Sequence, residues 1–538
     1  MVALRPGAHT TAPLRLAAVR SALAVGVFAV LLVEVAGARQ ALTAPTMALG
    51  WLFFLLASAG LAARRWPGRA DRAGLRANAL RRWRAGGRTG HLMIGFLGAL
   101  VLAELVVALL AEPNNFDSQT YHLPKVEHWV AQRSLDFWPT AIHRQVTIPP
   151  GAEYLLLHLR LLTGGDALHN MVQFAAGLGC LLIASRLTAQ LGGGWRAQLI
   201  TVFVLGTTPM VVMQATSTQT DLVAAAWTGC VATVALDGMR SGGRVGTVLA
   251  LGAATGLTAV TKTTGLLGVG PMLLLWGVAG LRQALRSRPH RATAALRVVG
   301  GSVAVVLIGA AVVGPFLLRV TGDFGNPLGP PRLRESIPMQ RHDPAATLVN
   351  ALRVAHTALD TPIAPVRAGS AAAISGFARL IGVDPQDRAI TFGSTRFPVP
   401  AWYPDEDRVA FPVTGTLVLI ALTMALARPG RFGTRRPAVL RAYAAAATGA
   451  LLLYPVMIKW QPWGNRLLLY ALVLATPMVG LWLDAVLRRH PGPKPGPGAD
   501  ADRPARRRLV PAVLAGVLVT AAIAATLSVS YGFPRRLV

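Results

Sequence analysis

Residues 112–153 (EPNNFDSQTYHLPKVEHWVAQRSLDFWPTAIHRQVTIPPGAE) gather the groups of this chain that could move a proton or hold a polar ligand. They include Asp117, Glu127, Asp136 and Glu153, five amide side chains, three histidines and the aromatics Tyr121, Trp129 and Trp138. All follow directly after an apolar run long enough to cross a bilayer. In the hexad Asp117-Ser118-Gln119-Thr120-Tyr121-His122 a carboxylate stands beside an aromatic ring and an imidazole. A carboxylate held at a membrane surface can take a proton from an alcohol. The same residue could equally cap a helix or pair with a headgroup. Asp136 and Glu153 could pair with Arg133 or Arg144 as structural braces, and with Glu127 they are secondary acidic candidates.

Other residue types narrow the chemistry. The histidines His122, His128, His143, His158 and His169 show neither an HExxH motif nor a helical i, i+4 pair, so no metal site is assigned to them. Cys180 and Cys230 both fall inside apolar runs and supply neither a disulfide framework nor a zinc site. The run GLTAVTKT (256–263) resembles a phosphate loop but has Thr261 where the second glycine should be, between two apolar runs. Lys262 is one of four lysines in an otherwise arginine-rich chain, and Lys459 and Arg466 occupy a comparable place in KWQPWGNR. Cations there can hold a lipid phosphate. Alternatively Lys262 snorkels or pairs with a carboxylate such as Asp221.

The elements that must position these residues are membrane spans. With 538 residues, 53% hydrophobic, 14% charged and a mean hydropathy of +0.48, the chain is too apolar for a soluble protein of its size. The net charge of +30 sits mostly in short loops between apolar runs, a topology signal rather than a nucleic-acid surface. The arginine bias points to GC-rich coding and hence to a bacterium. Thirteen spans are expected: 19–38, 44–63, 92–111, 168–186, 196–214, 220–238, 245–261, 263–281, 298–318, 410–427, 440–458, 466–487 and 509–531, the first being a retained anchor. Glu34 and Glu104 lie within spans, where an ionised acid costs about 3 kcal/mol, and should face the bundle interior.

The basic segments 64–91, 282–297, 428–441 and 488–508 face the cytoplasm under the positive-inside rule, and an even number of spans separates each from the next. Two long segments, 112–167 and 319–409, then face outside. The fold class expected is an all-α polytopic membrane protein with three parts: an N-terminal module 1–318 carrying the outer loop 112–167, an outer cap 319–409, and C-terminal spans 410–538. In the first outer loop Leu123, Val126, Trp129 and Val130 predict a short interfacial helix, with Trp129 and Trp138 at headgroup level. In the cap, Leu348, Leu352, Ala355 and Leu359 fall at helical spacing. Residues 490–508 have the composition of a flexible connector.

An outer-loop aspartate with tyrosine four residues on, a tryptophan-bearing interfacial helix, the segment Pro149-Pro150-Gly151-x-Glu153 and a multi-span bundle together resemble the GT-C superfamily of membrane glycosyltransferases. The likeness is greatest to bacterial relatives of protein O-mannosyltransferases and lipid A aminoarabinose transferases, and in motif covers roughly residues 92–281. It implies a GT-C-like bundle in which Asp117 is general base on an acceptor hydroxyl, oriented by Tyr121 and His122. The implied donor is a monosaccharide on a polyprenyl phosphate, its phosphate held by Lys262, Arg144, Lys459 or Arg466, and transfer inverts the anomeric carbon. Where those enzymes often have Asp-Glu this chain has Asp117-Ser118, which leaves the acceptor (glycan, protein or lipid) and any divalent metal open. No cofactor is otherwise specified. The location implied is the bacterial plasma membrane with the site outside. The competing functions are a lipid-linked sugar flippase, a non-catalytic partner of an envelope polymerase, and an O-antigen ligase-like enzyme.

Overall fold

In a computed structural model of the chain, residues 10–64, 74, 77, 81, 83–84, 86–241, 244–287, 289–490 and 505–535 are described. Most of the basic segment 64–91 and of the connector 490–508 therefore lies outside the described residues. The path begins with α1 (Pro13–Gly37), α2 (Ala44–Ala63) and α3 (Gly87–Leu110), then α4 (Leu123–Gln132) and α5 (Gly151–Thr163) within the segment 112–167. It continues through α6 (Asn170–Gln190), α7 (Trp195–Gly206), α8 (Pro209–Ala215), α9 (Asp221–Ser241), α10 (Val245–Thr261), α11 (Leu266–Arg286) and α12 (Arg291–Phe324). The cap holds α13 (Pro331–Ser336), α14 (Pro344–Ala358) and α15 (Ala364–Leu380), and α16 (Pro412–Ala427), α17 (Pro437–Met457), α18 (Leu469–Arg489) and α19 (Ala505–Tyr531) close the bundle.

Every interval expected to span is helical, but the helices are not equal. Ten of the described helices are long and apolar enough to cross a bilayer, or eleven if α7 and α8 are one span bent by 70°. Pro209, at the start of α8, lies at that break. The remaining two, α10 and α16, have 17 and 16 residues. At 1.5 Å per residue each rises about 25 Å, short of a hydrocarbon core of about 30 Å. The expected thirteen are thus not all long enough to span, and α10 ends at Lys262.

Burial sorts the helices into a centre and a rim. The most apolar windows of α9 and α18 are 89% buried, whereas that of α2 is 6% buried and turns Leu49, Phe53 and Leu56 outward. Close approach comes from small residues. A Cβ on Gly252 would lie 2.6 Å from Ile308, and one on Gly256 would lie 2.9 Å from the Gly309 carbonyl oxygen, so α10 and α12 touch along a Gly-x-x-x-Gly ridge. The loop-like run at 256–263 thus begins as a packing surface. Glu34 and Glu104 do face inward. Glu34 accepts two hydrogen bonds from Arg319 of α12 and one from the Tyr154 hydroxyl of α5, tying three helices at one carboxylate.

Two helices bury faces that their apolar spacing alone does not specify. Trp129 is 4% exposed and packs 5.4 Å from the Tyr154 ring, so the apolar side of α4 seals against α5. In α14 the buried face is Ala346, Val349, Asn350, Arg353 and Thr357, while Leu348 stays 45% exposed. Polar bonding decides that rotation: the Arg353 guanidinium donates to the carbonyls of Pro385 and Ile390 and to Thr391 Oγ1. Around it Met339, Val349, Ala378, Val383 and Ile390 form a small core of the cap. Backbone bonds from Met339 to Met457 and from Phe392 to Trp460 fasten the cap to the bundle.

Candidate functional site

Asp117 follows α3 by a few residues and is placed by a buried polar seam. Six consecutive polar residues, Thr216 to Asp221, connect α8 to α9, and all are 5% exposed or less. Buried polar atoms need partners, and these find them in the strip that carries Asp117. Asn115 Nδ2 donates to Ser217 and Thr218, the Ser118 and Thr218 hydroxyls touch, and Gln219 Nε2 donates to both Asn115 Oδ1 and Asp407 Oδ1. Asn115 Oδ1 also accepts from the Ser118 amide, starting a turn that closes from Leu123 N–H to Ser118 C=O, one residue wider than an α-helix. Five residues along a regular helix turn a side chain about 140° from the first. The π turn takes up that difference and brings both Tyr121 and His122 to the side of Asp117.

Asp117 lies on the wall of a cavity of about 870 Å³. From the bundle side the wall also carries Tyr121, Arg144, Trp463 and Arg466, and from the cap side Arg332, Arg396, Asp407 and Arg408. Arg466 sits on the single turn Gly464–Leu467 that precedes α18. Its Nη2 is 2.5 Å from Asp117 Oδ2 and its Nη1 is 2.8 Å from Asp407 Oδ1, so one guanidinium joins two carboxylates. The neighbouring Asn465 Nδ2 donates to the carbonyls of Thr357 and Arg408, which holds the cap's last loop over this turn. Arg144 stands 6.0 Å from the Tyr121 ring.

The electrostatics follow from this geometry. Burial pushes the Asp117 carboxyl up, but the Arg466 guanidinium, then the His122 imidazole and then hydrogen bonding by Arg466 and Tyr121 outweigh it, and the net pKa falls well below the carboxylate range. Asp407 goes the other way. Burial raises it, Arg466 opposes, and the Asp117 charge raises it further. Tyr121 is driven up by burial and by Asp117, so its hydroxyl keeps its proton.

The structure therefore brings Asp117, Tyr121, Arg144 and Arg466 to one cavity and leaves the other candidates off its wall. His122 is buried behind Asp117, with Nδ1 2.9 Å from Glu153 Oε1. Glu153 is fully buried and also accepts from Lys125 Nζ at 2.8 Å; its brace is thus Lys125 rather than Arg144. Burial raises the Glu153 carboxyl, but Lys125 and His122 outweigh this and hold it at about 2. Glu127 takes a two-point contact from Arg160, and Asp136 closes a local turn with Ser134. Lys262 Nζ is 2.6 Å from Asp221 Oδ1, the pairing alternative to a phosphate contact, and Lys459 Nζ donates to the Glu335 carbonyl. Among the described residues no three His, Cys, Asp or Glu side chains group as metal ligands.

Residues not singled out from sequence complete the site: Asp407, Gln219, Arg332, Arg396, Arg408 and Trp463. Two signals were present. TSTQTD is too polar for a plain joint between two spans, and the run Asp405-Glu406-Asp407 is three consecutive acids in a chain with 23.

Neither a family model nor a curated protein matches the chain. Among solved structures it is similar to the oligosaccharyltransferase of Archaeoglobus fulgidus tethered to an acceptor peptide containing the NVT sequon, at 13% identity and a TM-score of 0.47, covering 84% of this chain and 56% of that one. It is also similar to the A. fulgidus oligosaccharyltransferase AglB in complex with an inhibitory peptide and a dolichol-phosphate, at 13% identity and a TM-score of 0.45, covering 82% and 56%. The chain thus spans little more than half the length of the solved chains it matches. At this identity and score the likeness assigns no substrate, partner or residue role.

Proposed function

We propose that the protein is an inverting membrane glycosyltransferase that moves a monosaccharide from a polyprenyl phosphate to a hydroxyl acceptor on the outer face of a bacterial plasma membrane. The observation that carries this is the cavity in which Asp117 and Arg466 stand 2.5 Å apart, with Arg144 on the same wall. A proton acceptor and a phosphate-binding cation are the two groups such a transfer requires. Nucleotide sugars are confined to the cytoplasm, so a transferase facing outward needs a donor that arrives through the membrane.

In the step proposed, the acceptor oxygen attacks the anomeric carbon, the bond from that carbon to the phosphate oxygen breaks, and the lipid phosphate leaves. The acceptor's proton goes to Asp117. One in-line displacement inverts the anomeric centre. Arg466 explains how a carboxyl of such low pKa can serve as base, because a base works best when its pKa is near the operating pH. A phosphate arriving at Arg466 and Arg144 draws the guanidinium's charge away from Asp117, which becomes more basic only when donor is present. Tyr121, protonated and beside Asp117, orients the acceptor, and His122 steadies the carboxylate from behind. Lys262 and Lys459 support the frame through Asp221 and the Glu335 carbonyl.

The test is reconstitution of the full chain in vesicles with a panel of polyprenyl-phosphate sugars and mass detection of glycosylated product. Product from at least one donor that is lost in Asp117→Asn is the expected result. Movement of the lipid-linked sugar across the bilayer without product would make the protein a flippase instead.

A further inference from the structure

The cavity has more positive charge than one donor phosphate needs. Five arginines line it: Arg144, Arg332, Arg396, Arg408 and Arg466. Two are matched by carboxylates, Arg466 by Asp117 and Asp407, and Arg408 by Asp405 at 2.8 Å. Arg144, Arg332 and Arg396 have no carboxylate partner among the described residues. They come from three separate segments: the short helical turn Arg144–Thr147, the start of α13, and the turn and loop after Phe392. Three chain segments delivering unmatched guanidinium groups to one concavity concentrate a positive potential there. Arginine's planar fork suits phosphate and carboxylate.

The two walls differ in what they hold. Arg144 and Arg466 are on the bundle wall beside Asp117, where the donor phosphate belongs in the function proposed above. Arg332 and Arg396 are on the cap wall, with Ser336 and Thr395 lining the same side. α13 is stationed by the Lys459 ammonium, which donates to the Glu335 carbonyl, and the stretch after Phe392 by the Phe392 amide bond to Trp460. Both cap arginines are therefore carried on backbone tied to the segment leading into Arg466.

We propose that the cap wall is a second anion subsite, in which Arg332 and Arg396 bind a phosphate or carboxylate group distinct from the phosphate at Arg144 and Arg466. This rests on the glycosyltransferase assignment. The second anion has two sources: an acidic group on the acceptor or, in revision of the monophosphate donor proposed above, the second phosphate of a diphosphate-linked donor. Either makes the cavity selective for a substrate pair with two anionic groups.

The experiment is a titration of the purified full-length protein with inorganic phosphate and, separately, inorganic pyrophosphate, on wild type and on the double variant Arg332→Gln/Arg396→Gln. Both side chains are exposed, so the variant should melt with wild type, and Arg332→Lys/Arg396→Lys serves as a charge-conserving control. Pyrophosphate binding about tenfold or more tighter than phosphate, with the advantage lost in the Gln variant and partly kept in the Lys variant, supports the subsite and places both anions on the donor. Two independent phosphate sites in wild type and one in the Gln variant support it and place the second anion on the acceptor. A single phosphate site, unchanged in the Gln variant and no tighter for pyrophosphate, overturns the subsite while leaving the donor site standing. No phosphate binding in any of the proteins would sink the donor site as well.

Discussion

Asp117 is held in a way that ties its chemistry to Arg466. Replacing it with Asn keeps shape and removes both the charge and the base, so transfer should fall by at least about 10²-fold, the usual contribution of a general base. Donor affinity should change by only a few-fold, because the freed Arg466 still pairs with Asp407. Single-turnover transfer and donor binding measured on the same preparation check this, and transfer within tenfold of wild type removes Asp117 from the role. Glu153 makes the contrasting case of a carboxylate used for stability. Its folded pKa of about 2 lies below the ordinary value, so its contribution is present above about pH 4.3 and is lost as pH falls through 2. Glu153→Gln leaves Lys125 buried without its partner and should cost about 3–5 kcal/mol at pH 7. Thermal unfolding in detergent should also show that the variant loses less stability than wild type between pH 4.5 and 2. Equal acid sensitivity in the two proteins would remove the brace.

Among the elements, the acidic turn at 405–407 is gripped from three sides. Gln214 donates to the Glu406 carbonyl and Gln219 to Asp407. The segment after α19 pairs its backbone with the turn, from Glu406 N–H to Phe533 and from Phe533 N–H to Pro404. Arg535 then contacts Glu406 within the protein, both side chains being 1% exposed, and reaches Asn114 at 3.4 Å. Removing either charge leaves the other buried and unmatched, so Arg535→Met and Glu406→Gln should each destabilise by about 3–5 kcal/mol, and the double variant by less than the sum. Additive losses in a double-mutant cycle of melting midpoints would show the pair to be uncoupled. These contacts also explain what sequence could and could not convey. Apolar runs fix spans locally, and Asp117 was visible because it lies just past one. Arg466 meets it across 349 positions, a pairing no local period encodes. The π turn at Ser118–His122 depends on hydrogen bonds accepted by Thr218 and Asn115, and α14 leaves Leu348 outward because Arg353 needs buried carbonyls. In each case a long-range polar demand overrode the local pattern.

At the scale of the molecule, the ends of the helices sort by charge, and the sorting bears on which face the cavity of the proposed transferase would serve. Asp117, Asp221, Asp407 and Arg466 share one end, where α9 begins and α10 stops at Lys262. The basic turns after α11, α16 and α18 lie at the other ends of those helices, with Arg286, Arg431 and Arg489 among them. Charge of this sign would be retained in the cytoplasm under the positive-inside rule, which agrees with the outward-facing cavity of the function proposed above. The two native cysteines are buried, so engineered thiols can be read against a low background. Ser394→Cys, exposed on the cap, should react with an impermeant maleimide in intact cells. Ser287→Cys, exposed after α11, should react only after permeabilisation. The reverse pattern would place the cavity in the cytoplasm, where a nucleotide sugar is at hand and a lipid-borne donor loses its rationale. The two labels therefore test the donor class as well as the topology, because a carrier lipid is needed only where soluble activated sugars are absent.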